Sequence, residues 1–521
     1  MDNAYNGPKY SDIDTTTVIN DNQPVPIYNH AVVEEVKGDK ETFKKYGIVS
    51  LIFAIVYTFC LYKNHSGITY PIFMAITLGL LHLIRKKDGL SLLSSKNGSK
   101  LLGIFYVSAL MLLSIHKCMS TSWALQFLDA TAIFLLFFSF VLYLYVDTTG
   151  WDIAGWLGGI VVSIVFPLFH FAKPFYDFGH WVKSRKGDMD PGKKQTVTAV
   201  VIGVVCAIPA LMVVVALLSS ADLVFSRMLE KMFEAISLPD NFWDIVGIAF
   251  TLFFSFMAAY LIPFTMSKGD VKIKARGEGK GNPIIAITFT AILGVVYLVF
   301  SLIQVLYLFT GSMELPSGYT YAEYAHEGFY QLLFVCILNL VMVSVCNREF
   351  KASKVLTGVL VIIAACTYIM IASSAMRMML YIGVYHLTFL RLFVLWFLAV
   401  LCIWLAFLMV GLFAKKFPIF KACLIAITIA YVGFVFANPD YQIAKYDLKA
   451  ANGKIDEYES VETYIVDSLS TDAVPALASD KKLLHQFELS NISYMRDNDK
   501  DYSGFRKFNF SYYRAQKIFN K

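Results

Sequence analysis

Twelve times along this chain, polar sequence gives way to an apolar run of about membrane length. That repetition limits the fold more than any other feature. The runs cover residues 46–62, 68–84, 101–115, 122–145, 153–172, 196–218, 242–266, 284–310, 329–346, 355–374, 388–414 and 418–437. About 20 helical residues cross a hydrocarbon core of about 30 Å. Within it only helices and closed barrels satisfy their own backbone, and runs of this length select helices. With 57% hydrophobic and 16% charged residues, the chain stands apart from soluble domains, in which roughly a quarter of residues are charged. The expected fold is all-α, a polytopic transmembrane helix bundle embedded in a lipid bilayer.

Loop charge sets the expected orientation. The segments 85–100, 173–195, 267–282, 347–354 and 415–421 together hold 22 Lys and Arg, whereas the remaining loops hold 5. Basic loops stay on the cytoplasmic side, which makes the first set internal. Two of these basic segments, 85–100 and 173–195, are separated by three apolar runs, so one of the three is expected not to cross. The best candidate is 153–172, where Gly155, Gly158, Gly159 and Pro167 favour a re-entrant or interfacial segment; the short run 101–115 is the runner-up. About eleven crossings result, with the N-terminus cytoplasmic and the C-terminal part extracytoplasmic.

Three domains follow from composition. Residues 1–45 are polar, carry Pro8, Pro24 and Pro26 and read as a disordered cytoplasmic tail without a signal peptide. Residues 46–437 form the transmembrane domain. Residues 438–521 turn abruptly polar and read as a small helical soluble domain, its first helix stopping at Asn452-Gly453. Between 221 and 236, apolar residues at helical spacing predict an amphipathic surface helix. The net charge of +6 resides in the short loops, where it reports orientation, and nucleic acid is rejected as a partner.

Known chemistries fail one by one. His326-Glu327 lacks the second histidine of a zinc-protease helix, because Tyr330 stands in its place. Gly277 to Gly281 follows no strand and lacks phosphate-loop spacing. No pair among the eight cysteines has metal-ligand spacing. No cofactor, metal or catalytic residue is expected.

What remains is charge and polarity at membrane depth, which is expensive and tends to face a protein interior. Glu323, Glu327 and Gln331 share one helix face at i, i+4, i+8 where the ninth run begins. Arg377, His386 and Arg391 are expected at the same level, so Glu323, Glu327, Arg377 and Arg391 are predicted to form one polar cluster. Asp129, Gln304 and Asn339 lie deeper within apolar runs.

Four segments, TYAEYAHEGFYQLL, SAMRMMLYIGVYHLTFLR, ANPDYQIAKYDL and LSTDAVPALA, occur in this order. On these the chain resembles the bacterial multi-pass membrane proteins grouped as domain of unknown function 4173, most closely over 219–477, so that 219–437 is the family-like part of the membrane domain. The resemblance implies a bacterial inner-membrane protein and brings no activity or site residue. Two functions compete on the sequence. One is a non-enzymatic sensor, scaffold or envelope-associated module with a protein partner at 438–521; the other is a small-solute or ion transporter using the intramembrane polar residues. The sequence sets no oligomeric state.

Overall fold

The computed structural model describes residues 38–94, 99–185, 242–268, 279–309, 321–414, 417–451, 455–502 and 504–520, with scattered positions between 203 and 228. The helices are α1 (Lys40–Leu61), α2 (Thr69–Lys87), α3 (Lys100–His116), α4 (Trp123–Tyr145), α5 (Ile153–Val165), α6 (Lys173–Arg185), α7 (Phe242–Lys268), α8 (Pro283–Phe309), α9 (Tyr321–Glu349), α10 (Lys354–Tyr385), α11 (Phe389–Phe413) and α12 (Ile419–Phe436). The tail adds α13 (Pro439–Ala451), α14 (Ile455–Ser468), α15 (Val474–Leu477), α16 (Lys481–Tyr502) and α17 (Phe510–Phe519). Among the described residues there is no strand beyond one isolated bridge between Gly281 and Phe350. Among the described residues nine helical segments, Ile153–His170 among them, are long and apolar enough to cross a membrane.

Two boundaries differ from expectation. The first helix starts at Lys40, inside the stretch read as a tail, because Asp39 caps it by accepting from the amides of Glu41 and Thr42. Residues 375–385, read as part of an external loop, extend α10, since MRMMLYIGVY contains no proline and offers good helix formers. The helix stops only at His386, whose φ is +67°. The connection to α11 is therefore three residues long, and Arg377 sits within a helix.

α10 is the hub of the C-terminal half, packed between α8 and α9 and against α11. The apolar core there runs from Cys336 and Leu340 through Met370 and Leu401 into Ile443, Ile465 and Phe487 of the tail. A second core joins α2, α3 and α4 to α12, and a third joins α1, α2 and α7. The tail is thus an extension of the bundle core.

The turns 62–68, 117–122 and 386–388 all meet the tail, which defines a tail end and a far end of the bundle. The segment 153–170 begins and ends at the far end. Asp152 pairs with Arg348 near the end of α9. At the other side of the segment, Asp177 accepts from the Asp39 amide at the start of α1 and from Tyr260 Oη at 2.7 Å. In between, Trp156 donates to Ser139 Oγ at 2.7 Å and Ser163 lies 3.8 Å from Met266 Sδ. From Phe166 to His170, a stretch holding Pro167, the helix tightens from α to 3-10.

Candidate functional site

The densest buried polar arrangement lies where the tail meets the turn between α3 and α4. Ser120 Oγ donates to Asp472, and the Thr121 amide donates to Asp472 Oδ1 at 3.0 Å. Asn509 Nδ2 donates to the Ser120 carbonyl at 2.9 Å, and the Phe510 amide to the Cys118 carbonyl at 2.8 Å. Asp440, second residue of α13, takes the amide and hydroxyl of Ser470 at 3.1 and 2.7 Å. Asp440 and Asp472 are both buried. Burial first, and the neighbouring Asp472 second, push the Asp440 carboxyl up to about 6 against the hydrogen bonds of Ser470 and Ser122.

Two turns along α13 sits Asp447, which takes the Leu387 amide at 2.8 Å. Burial pushes it up to about 6, with the Leu387 bond and Arg391 opposing. Tyr464, within electrostatic reach of both Asp440 and Asp447, accepts the Phe389 amide at 3.0 Å. A third attachment ties the tail to the turn between α1 and α2. There the Ile68 amide donates to Phe508, while Asn64 and Thr69 both donate to the Arg506 carbonyl.

Directly beneath this joint, inside the bundle, Asp129 is fully enclosed by two partners. His116 Nδ1 lies 2.6 Å from one carboxylate oxygen, and Tyr431 Oη donates to the other at 2.8 Å. The edge of Phe436 closes over the imidazole at 5.3 Å. The next residue after His116, Lys117, is buried, donates to the Gln126 carbonyl at 2.9 Å and lies 4.9 Å from the Tyr70 ring. Burial pushes its ammonium down to about 8. Because α12, which carries Tyr431, runs almost directly into α13, the Asp129 group and the Asp440–Asp472 pair share elements on both sides. Such an arrangement links the α3–α4 turn, α4, α12 and the tail through neighbouring buried polar contacts.

The residues singled out from sequence divide into groups. Glu323 and Glu327 lie on α9, but their side chains fall outside the described residues, as do residues 229–236 and the first 37 residues; of the expected 221–236 helix, 223–228 is helical with Leu223, Val224 and Met228 exposed. Gln331 is exposed. Arg377 packs against α9, its Nη1 standing 1.7 Å from where a Cβ on Gly328 would be, so glycine is what admits the guanidinium. Arg391 donates to the carbonyls of Tyr385 and His386 and covers the Tyr381 ring at 4.2 Å, acting as a cap on α10. It borders a cleft of about 150 Å³ that also reaches Tyr330 and Met378.

The deeper residues are tied to neighbours on other helices. Gln304 accepts from Ser373 Oγ at 2.7 Å, and Asn339 Nδ2 donates to Thr367 Oγ1 at 3.0 Å. Asp440, Asp447 and Asp472 were missed by sequence reasoning, although all three lie in the quoted segments ANPDYQIAKYDL and LSTDAVPALA. Seven residues separate Asp440 from Asp447, two turns on one helix face, and that spacing was the available signal. Among the described residues no three His, Cys, Asp or Glu gather as a metal-ligand group.

An all-α bundle of apolar helices with an enclosed polar joint under a helical tail is the architecture of a multi-pass membrane protein. The chain belongs to the family described as Domain of unknown function (DUF4153), whose model matches residues 101–479. This corrects the resemblance to domain of unknown function 4173, and the matched region begins well upstream of residue 219. No curated protein and no solved structure matches the chain.

Proposed function

We propose that this protein is a non-enzymatic sensor or scaffold of a bacterial inner membrane, in which residues 438–521 receive a signal or partner and the bundle is the frame that responds. The carrying observation is the three-point attachment of the tail to the turns 62–68, 117–122 and 386–388, made partly by buried carboxylates. Burying carboxylates costs desolvation, so net stability alone is a weak reason for an attachment of this kind. Gln304 and Asn339, the residues a carrier would present to a solute, are bonded to Ser373 and Thr367 instead.

Eleven crossings, with the N-terminus cytoplasmic and the tail extracytoplasmic, fit the basic loops and the placement of both ends of 153–170 at the far end. A cysteine at exposed Ser490 is expected to react with an impermeant reagent from outside the cell, and one at Lys351 only after permeabilisation. The reverse pattern overturns the orientation.

A photo-crosslinker at Ser490 in the full chain tests the role. A discrete adduct in cells, lost in Asp472→Ala while the bundle stays folded, supports the sensor or scaffold. No adduct, together with an ion flux in proteoliposomes that Asp129→Asn abolishes, favours the transporter.

A further inference from the structure

The last helix of the tail has two faces of opposite character. Ser511, Tyr512 and Ala515 are buried against the tail. Phe510, Tyr513, Arg514 and Lys517, at i, i+3, i+4 and i+7, form the outward face. Phe510 is 48% exposed and Tyr513 44%, and Lys517 Nζ rests 4.6 Å from the Tyr513 ring. Just upstream Phe505 is 68% exposed, beside Arg506 and Lys507. The stretch 504–521 contains five basic residues and no acid.

The level of this face in the molecule is fixed by backbone bonds. Phe508 is bonded to Ile68 between α1 and α2, and Phe510 to Cys118 between α3 and α4. Turns that join membrane-length helices lie at the bilayer surface, so the segment is held at that depth. On the turn that Phe510 joins, Trp123 is 82% exposed and stacked on Phe127. Aromatic rings with a polar edge favour the headgroup layer, and cations beside them draw anionic lipid.

We infer that the Phe510–Tyr513–Arg514–Lys517 face, with Phe505, is a membrane-contact surface that binds anionic phospholipid headgroups in the leaflet at the tail end. The amphipathic geometry matches helices that lie in the interface plane with apolar side chains among the upper acyl carbons. This inference rests on the membrane reading of the bundle and is independent of whether the tail senses or scaffolds.

The test uses the full chain in bilayers of phosphatidylcholine, with and without phosphatidylglycerol. Nitroxide labels are placed on Phe505→Cys and Tyr513→Cys, with exposed Leu489→Cys on α16 as the comparison site, and the signal of identically treated parent protein is subtracted. Collision with oxygen relative to a water-soluble nickel chelate is expected to be several-fold higher at 505 and 513 than at 489. That excess should rise further with phosphatidylglycerol and fall on charge reversal in Arg514→Glu/Lys517→Glu. Nickel access at 505 and 513 equal to that at 489 overturns the surface contact. A lipid-like signal that ignores phosphatidylglycerol overturns the anionic preference. Spin–spin broadening that disappears on dilution with unlabelled protein assigns the surface to a second copy of the chain and overturns the proposal.

Discussion

At the far end of the bundle, buried charges meet opposite charge or carbonyl oxygen. Lys173 Nζ lies 2.7 Å from Asp177, and fully buried Arg85 donates to the carbonyls of Ser91, Leu144 and Ser94 at 3.0, 2.9 and 2.7 Å. At the tail end, two carboxylates are buried beside each other and a third takes a single amide, so their hydrogen bonds come from neutral donors, and burial raises the carboxyls of Asp440 and Asp447. The first arrangement fastens helices by matching each buried cation with an acceptor. The second changes its free energy with each proton bound, so the molecule has one fixed end and one titratable end.

The largest expected effect lies at the fixed end. Asp177→Ala removes the acceptor of Lys173, Tyr260 and the Asp39 amide together and takes a carboxylate partner from a buried ammonium, at a cost on the order of 3 kcal/mol. Thermal unfolding in detergent measures it, and a change close to zero would show that the fixed end is not held by this pair.

At the tail end the expected effect is smaller and depends on pH. Both Asp440 and Asp447 have carboxyl pKa values raised to about 6 when docked, above the ordinary 3.8. The docked state therefore binds more protons than the undocked one. Its stabilisation is fully present below about pH 4 and is lost as pH rises through about 6. Hydrogen exchange of the α13 amides in reconstituted protein is expected to be slower at pH 5 than at pH 7.5. In Asp440→Asn that difference should shrink, and equal exchange at both pH values in the parent would remove the contrast between the ends.

The smallest effect is expected between the two ends. Asn339 Oδ1 is buried without a hydrogen-bond partner, and Thr367 retains its own bond to the Ile363 carbonyl when Asn339 is replaced. Asn339→Leu should then shift stability by less than about 1 kcal/mol, since removing an unsatisfied polar atom offsets the lost bond. A loss several times larger would place a third buried polar anchor at mid-depth.

The helical bundle was legible because membrane-length runs are properties of contiguous sequence. In the segment 153–170 Pro167 marks the 3-10 stretch, whereas Gly155, Gly158 and Gly159 lie within regular helix. The buried position of Asp129 was legible for the same reason, but its partners were not, since Tyr431 is 302 residues away and faces it only once α12 packs on α3. Asp472 and Asp177 read as ordinary charges of polar stretches. Nothing local distinguishes a solvated aspartate from one that a distant turn will cover, and burial of a charge is a tertiary property.

The three-point attachment also has a consequence for how the chain is made. Thr69 Oγ1 donates to the Arg506 carbonyl across 437 residues, which at about 5–20 residues per second separates the two halves of one joint by roughly 20–90 s of synthesis. During that interval Asn64 and Thr69 keep their bonds to the Cys60 carbonyl, while the Ile68 amide waits for the Phe508 carbonyl. The order of translation thus makes residues 506–508 the late half of this joint: the turn between α1 and α2 exists long before the stretch of backbone that covers it.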